Sequence, residues 1–152
     1  MRIKLVCVGK LREKYLKDAC AEYSKRISGF GKIEIIEVQD EKDDRHDCLS
    51  AEANRILKNV RETDYVVSME INGEMLSSEH FAKKMSSLGV RGKSDITFVI
   101  GGSTGLHDSV STRADFKLSF SKMTFPHQLA RIILLEQIYR AYKINQGGSY
   151  HK

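Results

Sequence analysis

The sequence predicts an α/β fold with a mainly parallel sheet. Short β-forming runs take turns along the chain with stretches whose apolar residues recur every three or four positions, the pattern of strands joined by helical crossovers. The 152 residues are 41% hydrophobic and 30% charged, which suits a single globular domain (residues 1–152) with a real core. No internal repeat, linker or low-complexity segment interrupts the alternation.

"IKLVCVG" reads as a buried strand closed by Gly9. Leu16, Cys20, Tyr23 and Ile27 follow at spacings of four, three and four, one face of a helix. "KIEIIEV" is a second strand. "DEKDDRHD" (Asp40–Asp47), with neither glycine nor proline, reads as a solvated loop or the start of a helix. Leu49, Ala53, Ile56, Leu57 and Val60 mark a second helix and "DYVVSMEI" a third strand. Asn72–Gly73 is a turn signal. Ser77 and Ser78 offer acceptors to the free N–H groups of a third helix, with Glu79 near its positive end. "DITFVI" and "DFKLSFS" are a fourth and a fifth strand. From Pro126 the chain should form one long helix, since the first turn is where a proline's missing N–H costs least.

That last helix is apolar on nearly every side: Leu129, Ile132, Ile133, Leu134, Leu135, Ile138, Tyr139, Ala141, Tyr142 and Ile144. A helix apolar all round is buried on more than one face. In so small a domain this predicts that a second copy covers part of it, as a homodimer.

Charge and cysteine usage narrow the function. The net charge of +5 favours polyanionic partners, nucleic acid foremost. Cys7, Cys20 and Cys48 are odd in number and form no CxxC pair, which argues against disulfides or a metal site and for a reducing compartment. No apolar run approaches the roughly 20 residues that span a bilayer, and "MRIKLVCVGK" is too short to read as a signal peptide. A cytoplasmic protein with no membrane partner is expected.

"FVIGGSTGL" (Phe98–Leu106) runs a strand into a glycine-rich turn, where bare backbone can approach a ligand. It lacks the Lys–Ser or Lys–Thr of a phosphate loop, and the first strand lacks the dinucleotide glycine triplet. A second segment, "LSFSKMTFPHQLAR" (Leu118–Arg131), also runs through small polar residues into a helix start. In an open parallel sheet, two such loops at neighbouring carboxyl ends can wall one pocket. Lys122, His127 and Arg131 would set positive charge beside it.

"VIGGSTGL", "LSFSKMTFPHQLARIILLEQIYRAY" and the closing "YHK" resemble the SPOUT methyltransferases. More narrowly, they resemble the ribosomal large-subunit methyltransferase H family, which N3-methylates a pseudouridine of bacterial 23S rRNA. The resemblance runs from "KLVCVGK" to the last residue. It implies a single-domain homodimer with a deep C-terminal trefoil knot, and an S-adenosylmethionine site held largely by backbone groups. Position by position, that site falls on Met69, on Gly101, and on Phe120, Ser121, Lys122, Met123, Thr124 and Phe125. The implied partner is 23S rRNA, in the ribosome or its large subunit.

Methyl transfer to a pyrimidine imino nitrogen needs in-line positioning and either a proton acceptor or donors that stabilise the developing anion on the base. The tail "NQGGSYHK" offers Tyr150 to stack on an unpaired base and His151 as a neutral imidazole. The alternative for such a tail is a frayed terminus. Arg140 interrupts the apolar helix, so it is either buried near a partner or facing a phosphate. His127 either meets substrate or finishes the helix start. Lys10, Arg12, Lys14 and Lys17 either meet an RNA backbone or form a solvated face. Whether one subunit's tail acts over the other's cofactor stays open. So do a different RNA, a ribose hydroxyl, or a non-catalytic RNA-binding dimer.

Overall fold

The computed structural model describes residues 1–41 and 48–152. The solvated loop or helix start expected at Asp40–Asp47 therefore lies, from residue 42 on, outside the described residues. In chain order the strands are β1 (Arg2–Val8), β2 (Lys32–Val38), β3 (Tyr65–Met75), β4 (Asp95–Ile100) and β5 (Phe116–Ser119). The helices are α1 (Lys14–Ser28), α2 (Cys48–Leu57), α3 (Ser78–Val90), α4 (Asp108–Arg113) and α5 (His127–Asn145). The strands form one parallel sheet in the order β2-β1-β4-β3-β5, as the alternation predicts.

Period-two alternation sends successive side chains to opposite faces, and the core divides accordingly. Ile3, Leu5 and Cys7 of β1 join Leu16, Cys20 and Ile27 of α1, Phe81 and Met85 of α3, and Leu134, Leu135 and Ile138 of α5. Val6 and Val8 face the other way, onto Ala53 and Ile56 of α2 and Val110 of α4. The crossover after β1 thus lies on one face and that after β4 on the other. Neighbouring strands whose connections part in this way open a crevice at their carboxyl ends, where ligands of α/β folds bind.

α5 lies against both α1 and α3, and its Tyr142 ring stacks on Phe30 at 5.1 Å. Much of the apolar surface that suggested a second subunit is therefore covered within one chain. What remains open lies at the start of α5 and just before it: Leu129 is 44%, Phe125 37% and Met123 74% exposed.

Three local expectations change. Pro126 precedes the helix instead of opening it, and its carbonyl accepts the N–H of Ala130 at 2.9 Å. Asn72–Gly73 is no simple turn: β3 runs on to Met75, with a register shift that pairs both Met69 and Glu74 with Leu118. Gly73 is small for a packing reason, because a Cβ there would stand 2.8 Å from the Lys117 carbonyl carbon. The six-residue α4 escaped the periodicity reading because Val110 is its one buried residue; its cap is His107, whose Nδ1 accepts the Ser109 N–H at 3.1 Å.

The cysteines behave as core residues. All three are free and buried, and burial pushes the Cys7 thiol up to about 12 despite Arg131 nearby, so it is inert at neutral pH. Among the described residues, no helix is long and apolar enough to cross a membrane.

Candidate active site

β4 delivers Gly101 and Gly102 to the carboxyl edge. The Gly105 N–H returns to the Gly102 carbonyl at 3.1 Å, and Gly105 adopts φ +86°, a conformation natural only to glycine. A Cβ on Gly101 would stand 2.5 Å from the Gly105 carbonyl oxygen, and one on Gly102 3.2 Å from Val8 Cγ1. The glycines thus serve first to let this loop fold on itself, which leaves a wall of backbone.

The facing wall follows β5. Ser119 Oγ donates to the Ser121 carbonyl at 3.0 Å, and Ser121 Oγ accepts the Met123 N–H at 3.0 Å. These bonds curl a stretch that belongs to no strand or helix, and the rings of Phe120 and Phe125 lie 6.4 Å apart along it. Met69 to Asn72 of β3 form the third side. Together they enclose a cleft of about 660 Å³, within the size range of small-ligand pockets.

Met69, Gly101, Phe120, Ser121, Met123, Thr124 and Phe125 all line this cleft, and so does His127; Lys122 does not. Arg131 does not place its charge there either. It is 2% exposed, bonded through Nη1 to Glu37 at 2.6 Å and through Nη2 to the Gly9 carbonyl at 3.3 Å. Its guanidinium ties α5 to the ends of β1 and β2 behind the cleft. A second cavity of about 660 Å³ opens at the amino edge of the sheet. Several of its charges pair with one another, Arg2 with Asp95 at 2.6 Å and Arg61 with Asp64 at 3.1 Å.

The three residues expected to carry chemistry are gathered elsewhere. Arg140 donates to Glu136 from Nε at 3.0 Å and Nη2 at 2.5 Å, and from Nη1 to His151 Nδ1 at 3.0 Å. Its guanidinium also lies 4.8 Å from the centroid of the Tyr150 ring. The Tyr150 hydroxyl donates to Glu136 at 3.2 Å, and His151 Nε2 meets Glu79 Oε1 at 2.7 Å. Burial, then the Glu136 carboxylate, pushes the Tyr150 hydroxyl above its usual range. Arg140 is therefore held by Glu136 and His151 of its own chain, with its side chain 24% exposed. Glu136 escaped the sequence reading because a glutamate one turn before an arginine is ordinary helix surface.

None of Arg140, Tyr150 and His151 lines the cleft. His127 and Arg140 lie on one helix, thirteen residues apart. At about 1.5 Å per residue, about 20 Å of helix separates them.

A family model described as predicted SPOUT methyltransferase matches residues 1–151. The chain belongs to the SPOUT methyltransferase family. Relatives of this SPOUT protein named ribosomal RNA large subunit methyltransferase H match along their whole length and all of its own. The one from Clostridium novyi is 55% identical over 159 residues and the one from Clostridium acetobutylicum 54% over 159. Among solved structures, the tRNA (m1G37) methyltransferase of Aquifex aeolicus shares the fold with a TM-score of 0.57 at 13% identity, covering 92% of this chain and 70% of that one. The Legionella pneumophila protein Lpg2936, solved in complex with the bound cofactor SAM, reaches 0.55 at 12% identity, covering 93% and 66%.

Proposed function

We propose that this SPOUT protein methylates N3 of a pseudouridine in bacterial 23S rRNA with S-adenosylmethionine, acting on the assembled ribosome or its large subunit. The observation that carries the reading is the convergence of seven of the eight donor positions on one cleft. The relatives' names and the full-length family match support an rRNA target, and the SAM bound to Lpg2936 supports the donor.

The residues fit such a donor. The cleft joins apolar side chains (Met69, Ile71, Leu106, Phe120, Phe125) to backbone that glycine and the Phe120–Phe125 stretch leave bare. Rings and a thioether chain would bury a nucleoside, while main-chain N–H and C=O groups read its edges. When bound, S-adenosylmethionine supplies a methyl group activated by its sulfonium. The chain's own part is to hold donor and acceptor in line and to exclude water from between them.

The same reading carries a homodimer with a shared site. On this reading the Arg140–Tyr150–His151 group, about 20 Å of helix from its own cleft, acts over the donor of a second copy. Phe125 and Met123, which line the cleft, and Leu129 in the first turn of α5 are exposed, apolar surface that such a copy would cover. The reading also carries the C-terminal trefoil knot that the family resemblance implies.

Mass spectrometry of rRNA from cells with and without the gene tests the target. A 23S fragment should lose one base methyl on pseudouridine when the gene is removed, and the purified protein should restore it on large subunits. A methyl lost from a ribose or from another RNA would overturn the assigned target. No change in any RNA would overturn the catalytic reading.

A further inference from the structure

We infer that Glu70 is the anionic group by which the cleft selects a positively charged methyl donor over its neutral product. The assignment rests on the donor reading above and adds a residue to it. Among the described residues lining the cleft, Glu70 is the one acidic side chain, and no lysine or arginine joins it. The other titratable group there is His127; Met69, Ile71, Asn72, the glycines and the Phe120–Phe125 wall are neutral once Lys122 is seen to stand outside.

The carboxylate is held firmly in place. Ser68, fully buried in β3, donates to Oε2 at 2.5 Å, and Ser111 of α4 donates to Oε1 at 2.7 Å. Each oxygen accepts from one hydroxyl and keeps lone-pair capacity for another partner. Neither anchor is a cation, so the negative charge is fixed in direction but not neutralised by its holders. α4, which sequence periodicity did not reveal, thereby acquires a purpose: it brings Ser111 across to β3.

A fixed anion in a largely apolar cleft acts strongly on a cation, because the surroundings screen it poorly. S-adenosylmethionine has two cationic centres, the sulfonium and the α-ammonium. The demethylated product keeps the ammonium and loses the sulfonium charge. A carboxylate aimed at the sulfur would favour donor over product and speed product release; one aimed at the ammonium would hold both alike.

The test is calorimetry on the full chain with three ligands: S-adenosylmethionine, S-adenosylhomocysteine and 5′-methylthioadenosine, which has neither cation. Glu70→Gln keeps the size and an acceptor for the serine hydroxyls but removes the charge. It should weaken S-adenosylmethionine at least tenfold and leave methylthioadenosine within about twofold. Unchanged S-adenosylhomocysteine binding supports the assignment by placing Glu70 at the sulfonium, whereas an equal loss would place it at the ammonium and overturn the selection of donor over product. Equal weakening of all three ligands, or of none, would overturn the assignment. Should Glu70→Gln fail to fold, Ser111→Ala leaves the charge and loosens one anchor. It should then weaken the donor more than methylthioadenosine, and equal effects would overturn the idea. An unsubstituted protein that binds no donor would overturn the cofactor reading together with this one.

Discussion

Arg140 donates from Nη1 to Nδ1 of His151 at 3.0 Å. A guanidinium is never an acceptor, so the neutral imidazole must carry its proton on Nε2, where it points at Glu79 Oε1, 2.7 Å away. Both ring nitrogens are thus engaged, and the tail is docked on α5 and the start of α3 instead of fraying. To act on a substrate base, His151 must exchange one of these partners.

The tail should therefore matter for chemistry and not for donor binding. Deleting Tyr150 to Lys152 should leave S-adenosylmethionine affinity within about twofold and lower methyl transfer to large subunits at least 100-fold. That is about 2.7 kcal/mol of transition-state stabilisation at 1.36 kcal/mol per tenfold. His151→Gln, which can still accept from Arg140, should lose less. Labelled-methyl incorporation beside calorimetry decides, and normal transfer by the truncated chain would reduce the tail to a structural latch.

Subunit sharing predicts complementation. Gly101→Ala drives a Cβ to 2.5 Å from the Gly105 carbonyl, so the loop must rearrange, and donor affinity should fall tenfold or more. Mixed with tail-truncated chains, these inactive copies should regain transfer, because one subunit of the hybrid has an intact cleft and the other an intact tail. Absence of recovery in demonstrated hybrids would mean that each chain uses its own tail.

Arg131 should prove structural. Arg131→Met keeps length but strands Glu37 and the Gly9 carbonyl. Glu37 keeps some contact with water, its side chain being 33% exposed, so the cost should be about 2–3 kcal/mol, below that of breaking a wholly buried pair. Urea unfolding at neutral pH measures it. A change under 0.5 kcal/mol would show that the pair does not anchor α5.

Acid sensitivity should trace in part to Asp64. Burial by itself would raise this carboxyl, but the Arg61 N–H at 3.0 Å, the Thr97 hydroxyl at 3.1 Å and the charges of Lys4 and Arg61 prevail and hold it below the usual carboxylate range. A carboxyl depressed on folding stabilises the protein above its unfolded pKa, about 3.9, and loses that contribution as pH falls through its folded value. Stability should drop below about pH 4, and Asp64→Asn should be less stable at pH 7 with a shallower decline in acid. Parallel curves for the two proteins would remove Asp64 from the acid response.

By itself the sequence determined the α/β class, the five strand segments, four of the helices and the two loops that wall the cleft. These are readable because burial imposes a period of two or of 3.6 on the apolar residues, and because a strand end followed by glycine is a local event. Its motifs marked Met69, Gly101 and Phe120–Phe125 only through a family resemblance. Tertiary structure decided what depends on residues distant in the chain: that Gly73 must clear the backbone of β5, that Arg131 is spent on Glu37, and that Lys122 stands outside the cleft. It also decided that Glu70 lies inside, with hydroxyls from β3 and α4 on its two oxygens. No local pattern encodes such meetings, because a carboxylate's role is set by what the fold brings within about 3 Å of it.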